Sequence, residues 1–157
     1  MPKSIFTSVT YIRTTPENLW SALTDLEFIR QYWFGVRCES QFTVGSSWKL
    51  FYPDGHNTDA GEIVEAEPPR RLVIRWRHQD KPDLKAEGES HCEMELGSSG
   101  PAVKFSLTHT IERDPSNFIA AVSVAWPMVI SNLKSLLETG SLVLQTPYPN
   151  SSSNRKE

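Results

Sequence analysis

Hydrophobic and polar positions recur along this chain with two different periods, and the changes of period mark out its elements. Ser4 to Arg13 is rich in β-branched and aromatic residues and lies between Pro2 and Thr14-Thr15-Pro16, which predicts a first strand. The period then lengthens. Leu19, Trp20 and Leu23 form the apolar face of a short helix with Thr15 as its cap, Pro16 at its first position and Glu17 in the turn where the helix dipole favours an anion. Asp25 caps a second short helix, Leu26 to Trp33, in which Leu26, Ile29 and Trp33 recur at three and four. Gly35 ends it.

From there to residue 113, turns are expected at Gly45, Pro53-Asp54-Gly55, Pro68-Pro69, Pro82-Asp83 and Gly97-Ser98-Ser99-Gly100. They separate six predicted strands: Val36 to Thr43, Ser46 to Tyr52, Ala60 to Ala66, Arg71 to His78, Ala86 to Leu96 and Ala102 to Arg113. Hairpin-length loops between closely spaced strands imply an antiparallel meander. Residues two apart share a face of a strand. In the last strand Val103, Phe105, Leu107, His109 and Ile111 therefore oppose Lys104, Ser106, Thr108 and Thr110. Leu72, Ile74 and Trp76, with His78 on the same side, oppose Arg75 and Arg77, and Trp48, Leu50 and Tyr52 oppose Ser47 and Lys49. Cys92, Met94 and Leu96 oppose Glu87, Glu89, Glu93 and Glu95, which predicts a charged outer surface with cross-strand ion pairs to the arginines.

The longest helical pattern comes last. Trp126, Val129, Ile130, Leu133, Leu136 and Leu137 form one wide stripe, and Gly140 supplies a left-handed cap. Ser116 is placed to cap a helix beginning near residue 117, but Pro127 would then remove an internal hydrogen bond, so a kink or a restart around Ser123 to Ala125 is expected. A sheet with one apolar face needs that face covered, and this helix is the only predicted element long enough to do so. The expected fold class is α+β: a single domain over residues 1–140, with residues 141–157 as a flexible polar tail.

Composition narrows the partners. With 157 residues, 38% hydrophobic and 22% charged, the chain can bury a core without disulfides or metals. A net charge of -3 gives no general attraction to nucleic acid or to anionic membranes. No basic and then apolar leader opens the chain, and no unbroken apolar run approaches the roughly 18 to 20 residues of a membrane span, so no stable membrane insertion and a cytoplasmic location are expected. Cys38 and Cys92 are too few and too far apart for a zinc ribbon and are expected to be buried thiols.

The order strand, two short helices, six strands, long helix is that of the helix-grip fold. The chain resembles the START-like (SRPBCC) superfamily, in the branch named after the activator of heat-shock protein 90 ATPase. The resemblance spans residues 4–140. It rests on the run from Thr15 to Asp25, Trp33, Val44-Gly45-Ser46-Ser47-Trp48, Gly61-Glu62-Ile63, Pro68-Pro69-Arg70-Arg71-Leu72 with Trp76, Leu107-Thr108-His109, and Trp126-Pro127 with the run from Asn132 to Glu138. Relatives often have glycine before this Trp-Pro pair, where Val124 and Ala125 stand here. The resemblance implies an apolar cavity between the sheet and the last helix that takes a lipid, a polyketide or another small hydrophobic molecule. It also implies the alternatives of a cofactor-independent enzyme of cyclase, dehydratase or hydrolase type, or a module that docks on a chaperone in a stress response.

The ligand-binding candidates that follow are Trp33, Phe34, Trp48, Leu50, Ile74, Trp76, His78, Cys92, Met94, Phe105, Leu107, His109, Trp126, Met128, Val129, Ile130 and Leu133. The competing reading of each apolar side chain is an ordinary core. His78 and His109 end otherwise apolar faces, so each can orient a ligand or move a proton, against the alternative of a strand-end histidine satisfied by its neighbours. His78, Cys92 and His109 lack the spacing and the fourth group of a tetrahedral metal site. There is no GxGxxG, no phosphate loop, no GxSxG elbow and no HExxH, so no cofactor and no catalytic residue is assigned.

Overall fold

A computed structural model describes residues 2–145. The elements run β1 (Ser4–Ile12), α1 (Pro16–Thr24), α2 (Leu26–Tyr32), β2 (Arg37–Ser40), β3 (Ser47–Phe51), β4 (Asn57–Glu67), β5 (Arg71–His78), α3 (Pro82–Lys85), β6 (Glu89–Ser99), β7 (Ala102–Ile111) and α4 (Asn117–Thr139). All seven strands form one antiparallel sheet in the order β1-β7-β6-β5-β4-β3-β2, the START-like helix-grip arrangement. The two short helices carry the chain from β1 at one edge to β2 at the other. Their signals act as expected: Thr15 accepts from the Asn18 N–H, and Asp25 accepts from the N–H groups of Glu27 and Phe28.

The strand parities also hold. Val103, Phe105, Leu107, His109 and Ile111 are buried on the face that α4 covers. On the other face Arg71 pairs with Glu65, Glu93 and Glu95, Arg75 with Glu62 and Glu89, and Arg77 with Glu89. Such exposed pairs contribute under about 1 kcal/mol each. Gly61 lets β4 and β5 meet, because a Cβ there would lie 1.7 Å from the Arg75 carbonyl oxygen.

Two expectations are corrected. The helix break at Pro127 is absent: α4 runs through it as one 23-residue helix. Ser123 and Pro127 are both exposed, so the carbonyl that loses its partner lies on the solvent side of the helix, where the loss costs least. The strand expected from Ala86 begins only at Glu89, because Pro82–Lys85 forms a helical turn and Gly88 takes φ 88°. Glu87 consequently leaves the outer acidic row and caps α4, accepting from the Ser116 hydroxyl at 2.6 Å, the Asn117 N–H at 2.8 Å and the Phe118 N–H at 3.3 Å. By length and composition alone α4 would also pass for a membrane span. In the fold its apolar side lies on the sheet.

The carboxyl end of α4 is pinned twice. Glu138 accepts from the Arg13 N–H and from Lys134, both at 2.8 Å, and Lys134 also donates to the Tyr11 carbonyl. The lysine, then the backbone N–H, holds the Glu138 carboxyl below its usual range. Gly140 closes the helix at φ 81°, and Asn132 then holds Val143 and Leu144 through their backbone. Of the tail expected at 141–157, residues 146–157 lie outside the described residues.

Candidate functional site

Between the sheet and α4 lies a cavity of about 20 Å³ with almost wholly apolar walls. Alternate positions of the strands supply one wall with Trp48, Leu50, Ile74, Trp76, Met94 and Phe105, and α4 supplies the other with Trp126, Val129, Ile130 and Leu133. Trp33, at the end of α2, closes one side. These eleven of the seventeen candidates come together around one space. The ring centroids of Trp48 and Trp76 are 4.3 Å apart, those of Trp33 and Trp126 5.3 Å, and those of Trp76 and Trp126 5.7 Å.

Six candidates lie elsewhere. Leu107, Cys92 and His109 are fully buried in the core outside the cavity wall, Met128 and Phe34 are half-buried, and His78 lies at the end of β5. Leu23, Ile29, Tyr32, Cys38, Phe42 and Leu72 line the cavity without having been singled out. Leu23, Ile29 and Leu72 were legible as inward-facing positions. Tyr32 was not, because only the fold shows its hydroxyl donating to the Ala22 carbonyl at 3.1 Å, and Phe42 stands in a loop where no period applies.

His109 is a structural polar group. Trp126 Nε1–H donates to its Nδ1 at 3.1 Å, so the ring hydrogen is on Nε2, which donates to the Ser90 hydroxyl at 2.9 Å; Ser90 in turn donates to the Trp76 carbonyl at 3.1 Å. Both nitrogens are thereby used, and burial, followed by the neighbouring His91, pushes its pKa down to about 3. A neutral imidazole with no free lone pair does not move a proton near neutral pH. Cys38 is likewise quiet: burial, then Glu39, pushes its thiol up to about 12, and burial raises Cys92 as well.

A second polar group was not foreseen. Asp59, on β4, is buried with only 8% of its surface exposed. Its carboxylate accepts from the Thr58 hydroxyl at 2.6 Å, Trp76 Nε1–H at 2.8 Å and His78 Nδ1 at 3.2 Å. Cross-strand register makes this possible, since Asp59 stands opposite His78 and Gly61 opposite Trp76. In the sequence Asp59 reads as one more turn-flanking acid. Among the described residues no three of His, Cys, Asp and Glu gather as metal ligands.

The family described as Activator of Hsp90 ATPase homolog 1-like protein matches residues 13–138. No curated protein matches the chain at a significant level. Among solved structures, CalU16 from Micromonospora echinospora superposes with a TM-score of 0.72 at 24% identity, covering 94% of this chain and 71% of CalU16. The Aha1 dimer from Colwellia psychrerythraea gives 0.71 at 20% identity, covering 87% and 98%. PFC0360w, an Hsp90 activator from Plasmodium falciparum, gives 0.70 at 21% identity, covering 85% and 95%. At these identities the structural likenesses speak to the fold alone.

Proposed function

The chain belongs to the Activator of Hsp90 ATPase homolog 1-like family, and from that premise we propose that it binds a small hydrophobic molecule, a lipid, polyketide or aromatic metabolite, between the sheet and α4. The observation that supports this reading is the tryptophan-walled cavity. At about 20 Å³ it holds roughly one water, whereas small-molecule sites enclose about 300 Å³ or more. On this reading a ligand gains room only when side chains swing aside.

The loops around Trp33 are suited to that movement. Phe34 and Phe42, on either side of β2, both take φ 55°, a left-handed conformation that costs a bulky residue on the order of 1 kcal/mol. Opening these loops releases that strain and offsets part of the cost of displacing Trp33 and Phe42. The gate belongs here, because α4 is unbroken at Pro127.

Two-dimensional NMR with naphthalene, a long-chain fatty acid and an aromatic polyketide tests the proposal. We expect saturable shifts of the Trp33 and Trp126 indole N–H signals for at least one probe, and a faster on-rate in Phe42→Ala. Indole signals unmoved across the panel would mean a filled core and overturn the reading.

A second reading, a protein-docking module of the chaperone-activator kind, has one observation in its favour. Ile5, Val9 and Tyr11 are more than half exposed in a row on the edge strand β1. An Hsp90 ATPase rate that rises with this protein and not with its Val9→Lys variant is the expected result; an unchanged rate removes it.

A further inference from the structure

His78 differs from His109 in one respect that matters chemically. Because a carboxylate only accepts, the Asp59 bond places a hydrogen on His78 Nδ1, and in the neutral ring Nε2 is then a lone pair. That atom is buried and no protein group bonds to it. It is the one buried side-chain polar atom among the described residues left without a partner, in an interior where Asn132, Ser90, His109 and Asp59 are all matched. A buried acceptor without a donor has given up its hydration with nothing in return, so its retention needs a reason.

The surroundings say what would match it. The Phe118 ring, in the first turn of α4, lies 6.1 Å from the His78 ring and 5.3 Å from that of His109. Trp76 links this place to the cavity, with its indole N–H on Asp59 and its ring against Trp48, Trp33 and Trp126. We infer that Asp59 and His78 form a hydrogen-bonding site for the hydroxyl of a phenol-class ligand, whose ring takes the place of the Phe118 side chain. A carboxylate ligand would meet the Asp59 charge, and an ether or ketone brings no hydrogen to Nε2. An aromatic hydroxyl brings both the donor and a ring to pack on His109 and Trp76.

This deepens the cavity reading by giving the ligand a polar end, but its test does not depend on the cavity opening, because Phe118→Ala makes room beside the His78 ring. Phenol, benzene and anisole are titrated into that variant and into its Asp59→Asn double variant, with the ring-nitrogen resonances of His78 as readout. In a wholly apolar space phenol binds worse than benzene, since its hydroxyl is buried unpaired. The expected result is phenol about five-fold tighter than benzene or anisole, with a shift of His78 Nε2, and loss of that preference in the double variant. Equal or inverted affinities overturn the inference. Should Phe118→Ala not fold, Phe118→Leu carries the same comparison. In the unaltered protein, ring-nitrogen spectra must show Nδ1 protonated and Nε2 bare; a proton on Nε2 overturns the inference without any ligand. Benzene shifts at Trp33 and Trp126 with no phenol preference at His78 would leave the cavity reading and remove this one.

Discussion

Toward the carboxyl end of α4, Asn132 has no exposed surface and spends its whole amide: Oδ1 accepts from the Val143 and Leu144 N–H groups, and Nδ2 donates to the Leu144 and Tyr32 carbonyls. Beside the amino end, His78 is almost as deeply placed yet leaves Nε2 unmatched. Between them His109 is matched on both nitrogens. One helix thus covers two kinds of buried polarity. Where every donor and acceptor is used, the group holds the fold together; where one is spare, the fold keeps a chemical opening at a cost in stability.

The contrast can be broken most directly at Asn132. Asn132→Leu leaves two N–H groups and a carbonyl of residues 143–144 without partners and is expected to cost about 3 kcal/mol, read from the urea midpoint, with faster amide exchange at Val143 and Leu144. A cost under about 1 kcal/mol would mean that the polar link is dispensable.

Next in size is the acid response of His109. Its pKa falls from 6.5 to about 3 on folding, so the unfolded chain takes up a proton first as the pH drops. This contribution is complete above about pH 6.5 and declines toward pH 3, a loss of about 2 kcal/mol by pH 5. The stability of wild type relative to His109→Gln should fall across that window, and a flat difference would assign the acid sensitivity to other groups.

The smallest effect belongs to His78. Its replacement by leucine removes an unmatched acceptor while Thr58 and Trp76 still serve Asp59, so stability should change by less than about 1 kcal/mol. A loss as large as that at Asn132 would make both ends structural and erase the distinction.

Much of this was legible without coordinates. Period two placed Trp48, Ile74, Trp76, Met94 and Phe105 on one face, and period 3.6 placed Trp126, Val129, Ile130 and Leu133 opposite them, which is why eleven candidates meet around one cavity. Phe42 and Tyr32 were missed because one stands in a loop and the other is explained by a hydroxyl bond ten residues back. Glu87 was assigned to the wrong surface because Gly88, at φ 88°, turns the chain out of the strand before β6 begins.

By itself the sequence determined the order of every element but the short α3, the caps at Thr15, Asp25, Ser116 and Gly140, and the inward faces of β3, β5, β6 and β7, since these follow from local sterics and side-chain period. Only the tertiary structure decided that Pro127 is tolerated, that the space between sheet and helix measures about 20 Å³, and that His109 is matched while His78 Nε2 is not. Those outcomes depend on which atoms from distant strands fall within hydrogen-bonding or packing distance, and antiparallel register sets Asp59 beside His78 across nineteen residues of chain.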